Sequence, residues 1–156
     1  MDNLIIRQAS LDYLEKIQKL NYELFKLEKE NYDSTLVENW PLSYEGKNYF
    51  EDLIKNAYVI VALIDDKISG YLAGTSNSKG EYELVQYGEI NNMFIDNRYR
   101  GIGIGNKLIN QFKEYCKSNN INHLKVVASA KNTDAIEFYK KQGFSDFDVT
   151  LTMEVK

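Results

Sequence analysis

At 156 residues with a formal charge of −4, the chain is one domain long and can bury roughly two-thirds of its unfolded surface without metals or disulfides. The acidic balance argues against a nucleic-acid surface, and no apolar run approaches the roughly 20 residues of a membrane span. A lone cysteine, Cys116, rules out an internal disulfide, and no N-terminal stretch has the basic start and apolar run of a signal peptide, so a soluble, cytoplasmic, reduced protein is expected.

In chain order, Leu4 to Ala9 reads as a short strand. Apolar residues then recur at helical spacing from Leu11 through Leu14, Ile17, Leu20, Leu24 and Leu27. Asn31 to Lys47 has no single period and holds the only proline, Pro41, so an irregular connection with one short helical turn is predicted. A second helix is predicted over Asn48 to Asn56. "AYVIVALI" and "ISGYLAGTS" follow as two strands around Asp65, Asp66 and Lys67, residues suited to a hairpin turn. "ELVQYGEINNMFI" is a longer strand. Leu108, Ile109, Phe112 and Cys116 mark one side of a further helix, which stops among Ser118, Asn119 and Asn120. "HLKVVASA" reads as a strand buried on both faces. "NTDAIEFYKKQG" reads as a helix starting at Asn132 or Thr133 and ending at Gly143, and two short strands, Phe144 to Asp148 and Thr150 to Val155, close the chain. No repeat, low-complexity tract or linker divides residues 1–156, so a single domain with a mixed sheet flanked by helices is expected.

The stretch "RYRGIGIGNKLI", Arg98 to Ile109, is the most specific feature. The dinucleotide fingerprint fails, because Asn106 and Leu108 stand where its third glycine is required. A Walker A loop fails for want of Lys-Ser or Lys-Thr at the right distance. What remains is a glycine-rich entry to a helix, whose first N–H groups lie unpaired at the positive end of the dipole. Such a turn suits an anion, above all a phosphate, and Arg98 and Arg100 add positive charge beside it. A glycine-rich helix entry with no ligand has the same spacing.

Strand, "RYRGIGIGNKLI" and helix together resemble the acyl-coenzyme A pyrophosphate loop of the GNAT superfamily of N-acetyltransferases, with Arg100, Gly103 and Gly105 at the motif positions. Downstream, "ASAKNTDAIEFYKKQGF" is similar to a second family stretch through Asn132, Ala135, Tyr139, Gly143 and Phe144. The resemblance extends weakly over nearly the whole chain. It implies an α/β (α+β) fold with a mixed, mostly antiparallel central sheet of about seven strands and about four flanking helices. It further implies that the amides of Gly101, Ile102, Gly103, Ile104, Gly105 and Asn106 hold the pyrophosphate of acetyl-coenzyme A. Met93, Phe94 and Ile95 would offer backbone hydrogen bonds to pantetheine where two strands splay apart.

Acetylation of an amine requires a base and benefits from a proton donor for the leaving thiolate. Tyr139, at the family's tyrosine position, is the donor candidate, and a core aromatic is the plainer alternative. Glu89, on the strand beside the pantetheine, is the base candidate, and a solvent-facing glutamate is its alternative. Asn132 suits both a helix cap and a polar contact to the cofactor. His123 has no second ligand near it for zinc, so no metal is expected, and Cys116 reads as packing rather than a nucleophile. Glu28, Glu30, Asp33 and Glu38 interleave with Tyr22, Tyr32, Trp40, Tyr44 and Tyr49 in the region that shapes the family's acceptor pocket. Acidic and aromatic groups together suit a cationic amine, on a small molecule or a peptide, although a solvated helix face has the same composition. The expected activity is acetyl transfer to a primary amine by direct attack in a ternary complex. A non-catalytic acyl-coenzyme A-binding regulatory module is the alternative, and a homodimer is an expectation by analogy alone.

Overall fold

The computed structural model describes residues 3–156. In chain order it contains β1 (Leu4–Gln8), α1 (Leu14–Asn31), α2 (Tyr44–Asn56), β2 (Tyr58–Ile64), β3 (Lys67–Ser76), β4 (Tyr87–Ile95), α3 (Ile104–Ser118), β5 (His123–Val126) and α4 (Thr133–Lys141), with single 3-10 turns before α1, α2 and α3. The strands form one sheet in sequence order. β1 to β4 pair antiparallel, and β5 joins β4 parallel. No helix among the described residues is long and apolar enough to cross a membrane.

The unbroken apolar run "YVIVALI" makes β2 the centre of the molecule, because every residue of it is buried. Val59, Val61 and Leu63 face α1 and α2 with Ile17, Phe50 and Tyr71, whereas Tyr58, Ile60 and Ala62 face α3 with Leu108, Ile109 and Phe112. Alternation along one strand thus divides the core into two layers, one on each side of the sheet. Asp65 and Asp66 take φ of +50° and +62°, the conformation a two-residue hairpin needs to match the twist of β2 and β3.

Several boundaries differ from those the sequence predicts. α2 begins at Tyr44 rather than Asn48, because the turn at Pro41 ends in Ser43, whose Oγ accepts from the Gly46 N–H at 3.1 Å and caps the helix. β5 ends at Val126 rather than running through Ala130. The sheet has five strands, not about seven. Residues 144–155 keep the alternation that predicted two closing strands, yet no ladder forms there among the described residues, because a strand is defined by a neighbour and that segment has none.

β4 carries the irregularity that matters for the site. Ala73 pairs with Asn92 but Gly74 pairs with Ile90, so Asn91 is an extra residue on β4. This bulge reverses the strand's facing: Ile90 packs toward α3 and Phe94, four residues on, toward α1 and α2. The ladder to β5 stops at the same place, with Ile90 opposite Val126, while β4 continues to Ile95. Beyond the bulge, the β5-facing side of β4 is therefore open.

Candidate active site

The gap between β4 and β5 opens into a cavity of about 520 Å³. α1 contributes Asn21, Leu24, Phe25 and Glu28 to its wall, a spacing of i, i+3, i+4 and i+7 that puts all four on one helical face. β4 contributes the bulge residues with Met93, α4 contributes Asn132, Ala135 and Tyr139, and Trp40 and Tyr49 close the aromatic side. Trp40 stacks on Phe25 at 5.8 Å between centroids and meets Tyr49 edge-on at 5.4 Å, so these rings are fixed in place.

Beside the gap lies the glycine loop. Gly101 and Gly103 take φ of +78° and +89°, a conformation other residues adopt only under strain. Space is not their constraint, since a Cβ at either would meet nothing within 4 Å. Gly105 differs, because a Cβ there would come within 2.9 Å of the Phe138 ring, so its bareness lets α3 pack on α4. Lys107 makes the first bond of α3, to the Gly103 carbonyl at 3.1 Å. The amides of Ile104, Gly105 and Asn106 come before it and have no intrahelical acceptor, which leaves donors and the positive dipole end facing outward. The Ile104 side chain is buried in the core, whereas Ile102 stands partly exposed.

The two arginines diverge. Arg98 is held by Asp96, with Nη2 to Oδ2 at 2.8 Å and Nε to Oδ1 at 3.1 Å, and the pairing holds the Asp96 carboxyl below the usual range. Arg100 donates from Nε to the Ile95 carbonyl at 3.0 Å and lies 5.0 Å over the Phe94 ring. Among the described residues Arg100 is thus the cation anchored to the end of β4 without a carboxylate bonded to it, and Arg98 the one paired with Asp96. Met93 lines the cavity, Phe94 is buried in the layer under α1 and α2, and Ile95 packs against Gly105.

Tyr139 reaches the cavity from α4, wedged edge-on between Phe138 and Phe144 at 5.4 and 5.6 Å. Burial, and secondarily the charge of Glu28, push its phenol up to about 12. It therefore stays protonated throughout the neutral range. Asn132 caps α4, its Oδ1 accepting from the Ala135 N–H at 3.2 Å, and also lines the cavity. Glu28 is half-buried, and its carboxyl is raised above the ordinary value, first by desolvation and then by the nearby charge of Asp33. Glu89 lies one residue before Ile90, outside the cavity wall, and accepts from Asn77 Nδ2 at 2.6 Å. Its charge raises the Tyr49 phenol, though less than burial does.

Asn21, Asn92 and Phe25 have no place in the sequence reading, yet they complete the wall. Asn21 Nδ2 donates to the Tyr71 hydroxyl at 2.8 Å and Asn92 Nδ2 to the Tyr49 hydroxyl at 3.2 Å. Each amide oxygen is left buried without a partner. Native structures rarely bury polar atoms that way unless a ligand or water completes them. The signal for Asn92 was the pair Asn91-Asn92 interrupting an apolar strand. Cys116 is fully buried in the α3 layer, and burial pushes its thiol up to about 11, so it offers no nucleophile. Among the described residues no three metal-ligating side chains come together.

The model of the acetyltransferase (GNAT) family matches residues 17–144, a span that includes the glycine loop, the bulge and α4. The chain is 29% identical over 147 residues to an uncharacterized N-acetyltransferase of Methanocaldococcus jannaschii, covering 92% of this chain and 62% of that protein. It is 28% identical over 150 residues to an N-alpha-acetyltransferase of Sulfurisphaera tokodaii, covering 92% and 81%. Among solved structures, a mutant of the BH1408 protein of Bacillus halodurans superposes with a TM-score of 0.85 at 18% identity, over 97% of this chain and 99% of that one. An aminoglycoside N-acetyltransferase in complex with CoA superposes with a TM-score of 0.76 at 13% identity, over 99% and 95%. With the family model spanning the glycine loop, the bulged strand and the helix that bears Tyr139, this chain belongs to the acetyltransferase (GNAT) family.

Proposed function

We propose that this protein transfers an acetyl group from acetyl-coenzyme A to a primary amine held between α1 and the bulge of β4. The reading rests on the half-buried Glu28 carboxylate, which lines the cavity together with Phe25, Trp40 and Tyr49. A carboxylate beside an aromatic wall suits an ammonium group, which carries only donors, better than an alcohol or an acid. The loop amides of Ile104 to Asn106, with Arg100, suit the pyrophosphate of coenzyme A, and the open side of β4 at Met93 to Ile95 suits its pantetheine. Asn132 adds a polar contact from the cap of α4.

When bound, acetyl-coenzyme A supplies the activated acetyl group, which passes directly to the amine nitrogen as the thiol leaves. The residues of the chain handle the protons. A carboxylate removes one from the bound ammonium, while Tyr139 gives its hydroxyl proton to the departing sulfur and regains one as the acetylated nitrogen loses its second. Glu28 is the carboxylate on the cavity wall. Glu89, outside the wall and bonded to Asn77, is the second candidate. Cys116 is buried under α3 and is not among the residues of the cavity wall, and direct attack in a ternary complex is the route of this reading.

Replacing each glutamate by glutamine separates the two. Glu28→Gln is expected to raise KM for a cationic acceptor and to remove the acidic limb of the rate profile, with acetyl-coenzyme A affinity unchanged. The same outcome from Glu89→Gln, with Glu28→Gln silent, would transfer the role to Glu89. The regulatory-module alternative has one observable of its own: acetyl-coenzyme A binding with no acceptor turned over.

A further inference from the structure

The cavity wall offers an acceptor much apolar surface and little charge. Leu24, Phe25, Trp40, Tyr49, Met93 and Val126 supply the apolar surface. Glu28 is the one acidic or basic side chain among the described residues lining it, and the Tyr49 and Tyr139 phenols are raised and so uncharged at neutral pH. The neighbouring acid, Asp33, is exposed, accepts from the Thr35 N–H at 3.0 Å and has the charge of Lys131 near it, so it adds no second anion to the wall. The amides of the wall are engaged within the chain: Asn21 donates to Tyr71, Asn92 donates to Tyr49, Asn91 accepts from Thr75 and Asn132 caps α4. The rings, in turn, are interlocked. Trp40 lies nearly parallel to Phe25, at 15°, and edge-on contacts continue from Tyr49 to Phe50 at 5.0 Å and from Phe50 to Tyr71 at 6.2 Å, where the series ends in a fully buried ring of β3. Gln18 Nε2 donates to the Pro41 carbonyl at 2.9 Å and so fixes the turn that carries Trp40.

We infer that the acceptor is a monocation whose single ammonium sits at Glu28 and whose aromatic or branched apolar body packs on Phe25, Trp40 and Tyr49. The inference rests on the amine reading of this cavity and names the class of amine. Rings held in place by one another form a preformed surface, which takes up an apolar group without first being ordered. Trp40, stacked on Phe25 and carried by a fixed turn, is then a specificity-determining residue. Polycations fit poorly. Inside the cavity each further ammonium of a polyamine or an aminoglycoside would lose water with no carboxylate to meet it, and the hydroxyls of an aminoglycoside would face apolar side chains. A short alkylamine would satisfy Glu28 and leave the rings uncovered, gaining nothing from them. The favoured chemistry occurs both in a free arylalkylamine and at a peptide end whose first residue is large and apolar.

Calorimetry of the full chain with coenzyme A present reads acceptor affinity apart from turnover. Phenethylamine is expected to bind at least ~10-fold more tightly than propylamine, spermidine or kanamycin. A smaller preference over any of these, or no binding by phenethylamine, would overturn the inference. Trp40→Ala should bring the affinities for phenethylamine and propylamine close together while propylamine binding and far-ultraviolet circular dichroism are retained. Phe25→Ala, on the other side of the stack, should narrow the same ratio and guards against a folding defect at Trp40. A ratio unchanged in both variants would equally overturn it. Phe-Gly-Gly separates the two sources: tighter binding than phenethylamine names a peptide end, weaker binding names a small amine, and each upholds the monocationic apolar class. Thiol release from acetyl-coenzyme A with the same amines tests transfer separately. Selective binding without release would count against transfer and leave the preference standing, and release without selectivity would do the reverse.

Discussion

The two ends of the sheet are built differently. Around β2, helices cover both faces and the largest side chains are fully buried. Around β5 the strand is four residues long, its helix has no fully buried residue, and the ladder to β4 stops at a bulge. The first end is finished by its own sequence and supplies the stability. The second leaves a strand edge and apolar surface unpaired, and the gap of the cavity and Tyr139 lie there, facing the wall that α1 supplies. Substitutions at the first end should therefore cost folding, and those at the second should cost binding and turnover.

The largest expected effect breaks the packed end. Phe112→Ala, between α3 and Tyr58, should lower stability by about 3–5 kcal/mol, read as a fall in the denaturation midpoint. Acetyl-coenzyme A affinity measured below that midpoint should be retained, and a selective loss of affinity would erase the distinction between the ends. At the open end, Gly103→Val should weaken acetyl-coenzyme A binding in calorimetry by at least tenfold. Its folding cost should be only about 1–2 kcal/mol, from forcing a side chain into the left-handed region.

Tyr139→Phe keeps the ring between Phe138 and Phe144 and removes only the hydroxyl. A fall in kcat of about 100-fold with cofactor affinity unchanged is expected. With the phenol pushed up to about 12, the native enzyme should show no alkaline loss from this residue at pH 9 or 10. The smallest effect is thermodynamic. Glu28 has a raised carboxyl, so its contribution to stability is present below its unfolded value and is lost as pH rises through the folded one. Glu28→Gln should therefore be no less stable than the native chain at pH 7, while acceptor binding by the native chain should fall with acid at a pH above 4.5. A variant that is less stable at neutral pH would contradict the desolvated carboxylate.

Much of this was legible in the sequence, and the exceptions share a cause. Helical spacing located α1 and α3, "AYVIVALI" and "ISGYLAGTS" located the hairpin of β2 and β3, and two glycine motifs located the loop and α4, whereas the burial on both faces expected of "HLKVVASA" is found at β2 and not at the edge strand β5. Periodicity reports which residues share a face of one element but not what lies opposite. The bulge at Asn91 depends on the partner strand, so the reversal between Ile90 and Phe94 was invisible although the Asn-Asn pair marked it. Arg98 was read with Arg100 as adding positive charge beside the loop, while Asp96, two residues earlier, was already in the sequence to pair with it. Glu28 was one acid among several until the face of α1 was fixed by Asn21, Leu24 and Phe25. The closing strands were legible as alternation, and the missing information was their partner.

The most direct measurement is thiol release by the full chain from acetyl-coenzyme A with pooled primary amines, including polyamines, aminoglycosides and peptides with free N-termini, run for the native protein and Tyr139→Phe. Acetyl transfer to an amine predicts release from at least one pool by the native protein and a fall of about 100-fold in the variant. Micromolar binding of acetyl-coenzyme A with silence from every pool, or an unimpaired Tyr139→Phe, would contradict it.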